Sequence, residues 1–141
     1  MNINFQFLKA TTLTQRTALK AFLEKTINRQ SYKLENLIVV FCSDDKLLKI
    51  NQIYLNKNYY TDIITFDLSD HSNSINGELF ISVDRVRENA KTFKSSFREE
   101  LHRVIFHGVL HLLGYNDKTS AQSKKIRAME DAWLTAYFKK G

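Results

Sequence analysis

One stretch, residues 107–117, constrains the chain more than any other, because it combines a helix, a helix stop and potential metal ligands. It reads HGVLHLLGYND and lies in the longest run of helical apolar periodicity. Residues four apart on an α-helix share one face, so His107 and His111 can direct imidazole nitrogens to one point. Gly114 favours a helix end, since glycine adopts a left-handed backbone at low cost. The chain can then turn back and bring Asp117 to the same point.

The pattern HxxxHxxxxxD predicts a metal site with two nitrogen ligands and one carboxylate oxygen. Three protein ligands with a position left for water are typical of catalytic zinc, whereas structural zinc usually has four protein ligands. Two helical histidines can also be ordinary polar residues, but the glycine break and the carboxylate favour the site. In zinc proteases of related spacing a Glu follows the first His as general base. Here that residue is Gly108, which disfavours a protease.

This stretch resembles the signature HGxLHLxGYDH of the YbeY endoribonucleases, a family of rRNA maturation factors. The residues that match it as they stand are His107, Gly108, Leu110, His111, Leu112, Gly114 and Tyr115. The family's last two positions, Asp and His, are Asn116 and Asp117 here. The third ligand would therefore be a carboxylate instead of an imidazole. Because oxygen is a harder ligand, the preference for zinc over manganese or magnesium is lowered.

The resemblance continues upstream and covers about the last ninety residues well, and the first fifty by pattern only. Its further matching residues are Leu55, Asn56, Thr61, Asp62, Phe66, Gly77 and Glu78. The family usually carries an Arg between the Leu-Asn and Thr-Asp pairs, often taken to contact the scissile phosphate. Here the connection is the shorter KNYY, whose one cation is Lys57. A lysine offers a point charge but not the fork of a guanidinium.

Four cations are candidates for contact with phosphate oxygens, and each could equally be an ordinary surface residue. Lys57 and Arg103, which lies one turn before His107, are the candidate catalytic residues. Arg85 and Arg87 are further candidates at the start of a predicted helix. Neither a general base nor the attacking nucleophile can be identified from the residues.

The resemblance implies a metal-dependent, single-strand-selective endoribonuclease that acts on ribosomal RNA. It further implies maturation of the 3′ end of small-subunit (16S) rRNA, ribosome quality control and association with the small ribosomal subunit. One Zn²⁺ per chain is the expected cofactor, with another divalent metal as the alternative, and we expect no small-molecule cofactor. Two other interpretations remain open: a non-catalytic assembly factor that binds rRNA and holds a structural metal, and a metallopeptidase-like hydrolase.

Composition supports a single domain over residues 1–141. The net charge of +6 is consistent with a polyanionic partner. No apolar run approaches the roughly 20 residues that span a membrane, and the amino terminus lacks a basic leader, so we expect a cytoplasmic protein without membrane association. The single cysteine, Cys42, is expected to be a core residue.

Hydrophobic periodicity predicts an α/β (α+β) fold, with a mixed sheet of about four strands flanked by helices and the metal site near the carboxyl terminus. Glu100, two turns before His107, could accept a hydrogen bond near the site, but we expect an exposed carboxylate. His71 and His102 fit no ligand spacing.

The sequence predicts four strands and five helices. The expected strands run through Ile3, Phe5 and Phe7, over 36–42, and over 61–66 and 77–82, the last two joined as a hairpin. The expected helices are one capped at Thr14, one capped at Ser43, one over 84–93, one from Phe97 and one from Thr119 or Ser120.

Overall fold

The structure, a computed structural model, describes residues 2–139 and contains every element that the sequence predicts. In chain order these are β1 (Ile3–Phe7), α1 (Arg16–Arg29), β2 (Lys33–Cys42), α2 (Asp44–Leu55), β3 (Ile63–Asp67), β4 (Ser74–Ser82), α3 (Val83–Thr92), α4 (Phe97–Leu112) and α5 (Ser120–Lys139). The expected cap at Thr14 is wrong. The residue before α1 is Gln15, which has a left-handed backbone with φ 54° and makes no side-chain cap hydrogen bond.

The four strands form one mixed sheet in the order β1-β2-β4-β3. β1, β2 and β4 are parallel, and β3 runs antiparallel to β4, with Thr65 opposite Leu79. The predicted α/β fold and the predicted hairpin are therefore confirmed. β4 begins at Ser74 and not at Gly77 as predicted, so the turn of this hairpin is shorter than expected.

Serine side chains cap three of the helices at their amino ends. Ser43, Ser82 and Ser96 each accept a hydrogen bond from the backbone N–H three residues later. Each serine satisfies an N–H that has no partner inside its helix, and acidic residues follow in the first turn, where the helix dipole favours them. The cap predicted at Ser43 is confirmed, and the cap at Ser96 fixes where α4 begins.

Helix α4 lies close against the sheet, and a glycine permits the approach. A Cβ atom on Gly108 would lie 2.7 Å from Cδ1 of Ile63 and 2.8 Å from Cδ1 of Leu79. Leu101, Ile105 and Leu112 on the same helix are buried, as the apolar stripe predicted. The sheet therefore holds α4, and with it the two histidines, at a fixed distance from β3 and β4.

A smaller core lies apart from the main one and contains Cys42, Leu47, Ile50 and Ile64. Here α2 packs against the sheet. Cys42 is fully buried, which confirms it as a core residue, and burial raises the pKa of its thiol to about 11. None of the helices within residues 2–139 has the length and apolarity that crossing a membrane requires.

Candidate metal centre

The end of α4 reverses the chain where the sequence predicted it. Gly114 has φ 97°, a left-handed conformation that suits glycine. Its N–H donates to the carbonyl of His111 at 3.0 Å, and the N–H of Tyr115 donates to the carbonyl of Leu110 at 3.0 Å. Helices often end with such paired bonds around a glycine. The turn directs the following residues back towards the last turn of α4.

The reversal brings together the three side chains predicted as ligands. Nε2 of His107 lies 3.0 Å from Nε2 of His111. Oδ2 of Asp117 lies 3.6 Å from Nε2 of His107 and 3.4 Å from Nε2 of His111. The three atoms thus form a nearly equilateral triangle, and among residues 2–139 this trio is the one set of three or more such side chains with a metal-like arrangement.

The size of this triangle fits a small divalent ion. Ligand atoms about 2.0–2.1 Å from a tetrahedral zinc lie about 3.3 Å from one another, close to the three observed separations. Two imidazole nitrogens and a carboxylate oxygen are a donor set that zinc accepts readily. Each imidazole is about one quarter exposed, so the fourth side of the ion position faces solvent or substrate.

A buried carboxylate, that of Glu130, forms a hydrogen bond with Nδ1 of His107, the ring nitrogen that does not belong to the ligand triangle. Nδ1 of His107 donates to Oε2 of Glu130 at 2.5 Å, and the Glu130 side chain is 4% exposed. With its proton on Nδ1, a neutral His107 presents the lone pair of Nε2 to the ion position, an arrangement common among metal-binding histidines. Burial lowers the pKa of His107, but the hydrogen bond and charge of Glu130 outweigh it, with help from Asp62 and Asp117, and the net shift is upward.

Sequence reasoning missed Glu130, although a signal was present. Residues Ile126, Glu130, Trp133 and Tyr137 recur at core spacing along α5, and all four are buried. A carboxylate in such a stripe needs a partner, because a buried charge without one is strongly unfavourable. The partner could have been sought among the histidines.

Arg103 packs against the same carboxylate. Its Nη1 donates to Oε1 of Glu130 at 3.1 Å, and its Nη2 donates to Oδ1 of Asp131 at 2.7 Å. The Arg103 side chain is 13% exposed, so it is not the ordinary surface cation that was one of its two interpretations. These bonds join α4 to α5 and fix Glu130 in the position that orients His107.

The other candidate cations lie elsewhere. Lys57 is exposed in the turn after α2, with Nζ 5.9 Å from the centre of the Tyr59 ring. Arg85 donates to Oδ2 of Asp44 at 2.8 Å, and the guanidinium of Arg87 lies 4.8 Å from the centre of the Phe97 ring. Within the described part of the chain, none of these three cations lines the cavity beside His107.

The sequence profile of the family described as "Endoribonuclease YbeY" matches residues 3–138. The chain belongs to the YbeY family. Relatives that carry the same description include proteins from Cytophaga hutchinsonii and Flavobacterium johnsoniae. The one from Cytophaga hutchinsonii is 46% identical over 123 residues, covering 87% of this chain and 86% of the relative. The one from Flavobacterium johnsoniae is 42% identical over 135 residues, covering 96% of each chain.

A solved structure agrees with the fold. The solution structure of TM1509 from Thermotoga maritima superposes with a TM-score of 0.72 at 25% identity, and covers 98% of this chain and 90% of that one. The YbeY profile begins at residue 3, so the match extends over the first fifty residues, where the resemblance rested on pattern only.

A cavity of about 310 Å³ opens beside His107 in this YbeY-family protein. Its lining includes Asp62, Asn89, Glu100 and Arg103, and Asp117 also contributes. The expectation of an exposed Glu100 is wrong, because the residue is only 5% exposed. Helices α3 and α5 both pack against α4, and this packing shields Glu100 from solvent. Burial raises the pKa of Glu100 and of Asp62, against the opposing effects of Arg103 and His107 respectively.

Proposed function

We propose that the protein is a metal-dependent endoribonuclease that cleaves single-stranded RNA at the centre formed by His107, His111 and Asp117. The observation that carries this proposal is the convergence of their three ligand atoms, at separations of 3.0–3.6 Å, in a chain of the endoribonuclease YbeY family. The solvent-facing side of the centre leaves room for a substrate oxygen.

The proposed cofactor is one Zn²⁺ per chain, with manganese or magnesium as an alternative because the third ligand is a carboxylate. A divalent metal at this centre supplies Lewis acidity towards a phosphoryl oxygen and acidifies water. Glu130 keeps the proton of His107 on Nδ1, so that Nε2 stays available as a ligand. Arg103 holds Glu130 through Nη1 and is proposed to act by positioning.

Contact with phosphate oxygens remains proposed for the two cations first singled out. Lys57 is exposed and free to move towards a bound backbone, as a flexible point charge can. Arg103 lines the cavity beside His107, but two of its nitrogens already face carboxylates, so a phosphate would have to compete for the guanidinium.

The proposed substrate is ribosomal RNA, chiefly at the 3′ end of the small-subunit rRNA, with the small ribosomal subunit as partner. The net charge of +6 supports a polyanionic partner. Ribosome quality control in the cytoplasm is part of the same proposal.

A second candidate function is a ribosome-assembly factor that binds rRNA and holds its metal for structure. Two observations favour it: the connection KNYY lacks the family's arginine, and Arg103 is engaged by Glu130 and Asp131. Such a factor would bind rRNA with a steep salt dependence and no turnover.

The test is elemental analysis of protein purified without chelators, together with cleavage of single-stranded rRNA fragments. The expected result is about one transition metal per chain and cleavage of the fragments, with both lost in Asp117→Ala. The matched control is Asp70→Ala, an exposed carboxylate in the turn between β3 and β4, which should keep both. A folded protein free of metal would contradict the centre, and a metal-loaded protein without cleavage would favour the assembly factor.

A further inference from the structure

The cavity beside His107 contains a carboxylate that the proposed centre does not use. Glu100 lines this cavity and is 5% exposed. Its neighbour Arg103 directs two nitrogens to Glu130 and Asp131 instead. Among residues 2–139, no side-chain hydrogen bond or ion pair reaches the Glu100 carboxylate. Its oxygens are not among the described side-chain atoms that are fully enclosed without a partner, so they are open to the cavity and a ligand that brings donors can reach them.

The negative charge around Glu100 disfavours a phosphate beside that side chain. Its lining carries four carboxylates, those of Asp62, Glu100, Asp117 and Glu130, against two cations, Arg103 and Arg127. A phosphate next to Glu100 would meet like charge in a partly desolvated space. The part of an RNA chain that suits the position next to Glu100 is therefore a nucleobase, which is neutral and carries N–H donors at its edge.

The rim of the cavity offers a surface on which a base can stack. Phe93, the residue that follows α3, lines the cavity and is 58% exposed. Aromatic side chains that hold single-stranded RNA stack on the unpaired bases while polar groups read the base edges. An exposed phenylalanine and a carboxylate in the lining of one cavity can supply both functions, and the volume of about 310 Å³ is at the lower end of the range for small-molecule sites.

We infer that this cavity binds one unpaired guanine base of the RNA, with the Glu100 carboxylate accepting hydrogen bonds from N1–H and the N2 amino group of the base. Guanine presents two adjacent donors at its Watson–Crick edge, which match the two oxygens of a carboxylate. Adenine and cytosine each offer one amino group beside an acceptor nitrogen, which an ionised carboxylate repels. The cavity adjoins His107, so the bound guanine lies near the proposed centre. This inference rests on the proposed function, since it assigns a substrate subsite to that centre.

The electrostatics of Glu100 support the assignment. Burial raises its pKa and Arg103 opposes the shift. Two N–H donors from a base would stabilise the ionised carboxylate and offset the loss of hydration. Asp62 is already partnered, because Nδ2 of Asn89 donates to its Oδ2 at 3.3 Å. We therefore assign the acceptance of hydrogen bonds from the base to Glu100 and not to Asp62.

The test uses 2′-O-methyl oligouridine hexamers that carry one central guanosine, inosine or adenosine, and gel analysis confirms that they stay intact during the measurement. Their affinity for the metal-loaded protein is measured by fluorescence anisotropy at fixed salt concentration. We expect the guanosine hexamer to bind about tenfold more tightly than the inosine hexamer, which lacks only the N2 amino group. Equal affinity of the wild-type protein for all three hexamers would overturn the inference.

Three variants separate base reading from folding. Glu100→Gln presents one acceptor and one donor, so the preference should move from guanosine to adenosine. Glu99→Gln is the matched control, an exposed carboxylate on the same turn of α4, and should keep the guanosine preference. Phe93→Ala should weaken binding of all three hexamers while keeping their order. A guanosine preference that survives in folded Glu100→Gln would refute the role of Glu100. If Glu100→Gln does not fold, Phe93→Ala provides the test. Unchanged affinity of Phe93→Ala for the hexamers would refute the cavity as the binding site.

Failure of this inference and failure of the proposed function give different results. Unmodified versions of the hexamers report cleavage. Cleavage without any base preference in binding would overturn the guanine subsite and leave the endoribonuclease intact. A guanosine preference without cleavage would leave the subsite and contradict the endoribonuclease.

Discussion

Nδ1 of His107 lies 2.5 Å from Oε2 of Glu130, although 23 positions separate the two residues in the chain. The contact joins the helix that carries two proposed ligands to the last helix of the described chain. The orientation of the His107 ring therefore depends on the packing of α5 against α4, and not only on the local motif.

Removal of the charge on Glu130 should weaken metal binding. We expect Glu130→Gln to lower the affinity about tenfold to a hundredfold, because carboxylate partners of metal-binding histidines orient the ring and raise its basicity. The measurement is a competition titration with a chelating dye at constant pH. Asp131→Asn is the control, since Asp131 pairs with the same Arg103 through Nη2 but, in the described part of the chain, makes no hydrogen bond or ion pair with His107. Equal losses in both variants would assign the effect to the ion-pair network of Arg103.

Exchange of the third ligand should keep the metal but change the preferred ion. In Asp117→His the side chain offers a nitrogen, as at the last position of the family signature, and nitrogen favours zinc over manganese. We expect about one metal per chain and a larger ratio of zinc to manganese affinity than in the wild type. Elemental analysis after equilibration with both ions measures the ratio. An unchanged ratio would show that residue 117 does not bind the ion.

A methyl group on Gly108 should destabilise the fold, because it would press α4 away from the sheet. Its nearest neighbours, Ile63 and Leu79, lie 2.7–2.8 Å from the added Cβ. We expect Gly108→Ala to lower the free energy of unfolding by up to about 2 kcal/mol, because overpacking costs about 1–3 kcal/mol and the better helix propensity of alanine offsets about 1 kcal/mol of that. Urea denaturation measures the loss. Leu79→Val should relieve part of the clash, so the double variant should lose less than the sum of the single ones. Strict additivity would contradict the proposed contact.

His102 should make the stability of the protein fall in mild acid. Its Nδ1 donates to the carbonyl of Arg98 at 2.7 Å, while Nε2 is buried without a partner. Burial lowers the pKa of His102 below its ordinary value near 6.5, the hydrogen bond to Arg98 opposing this. The unfolded chain therefore takes up a proton as the pH falls through about 6.5, while the folded chain does not.

The free energy of unfolding contributed by His102 is thus retained above pH 6.5 and lost below it. Replacement by a ring that cannot titrate should remove this loss. We expect His102→Phe, in metal-free protein, to have a flatter dependence of urea stability on pH between about 6.5 and 5 than the wild type. The phenylalanine can keep the contacts with Tyr137 and Phe138. Parallel pH curves for the two proteins would contradict the prediction.

The sequence predicted what depends on short-range spacing. The strands, the helices and the glycine stop at Gly114 follow from periodicity and capping, and so does the meeting of His107, His111 and Asp117 around one turn. The strand order could not be predicted, because the placement of β4 between β2 and β3 depends on how α1 and α2 cross the sheet.

Long-range burial accounts for the errors at the site. Glu100 and Glu130 look like ordinary helix carboxylates in the sequence, and the structure buries both where α4 packs against α3 and α5. The two carboxylate partners of Arg103, Glu130 and Asp131, were likewise not predicted from the sequence. Such pairings join residues 27 and 28 positions apart, beyond the reach of helical periodicity.

All three proposed ligands lie within eleven consecutive residues, whereas Glu130 comes from another helix. An unfolded chain therefore keeps the three donors near one another and can still capture an ion. Binding to the unfolded chain reduces the stabilisation that a ligand confers on the folded one. Glu130 is oriented towards His107 only when α5 has docked. It therefore raises the affinity of the folded chain for the ion above the affinity of the unfolded chain. A metal bound at the proposed centre should therefore raise the melting temperature by an amount that depends in part on Glu130, a residue outside the proposed ligand set.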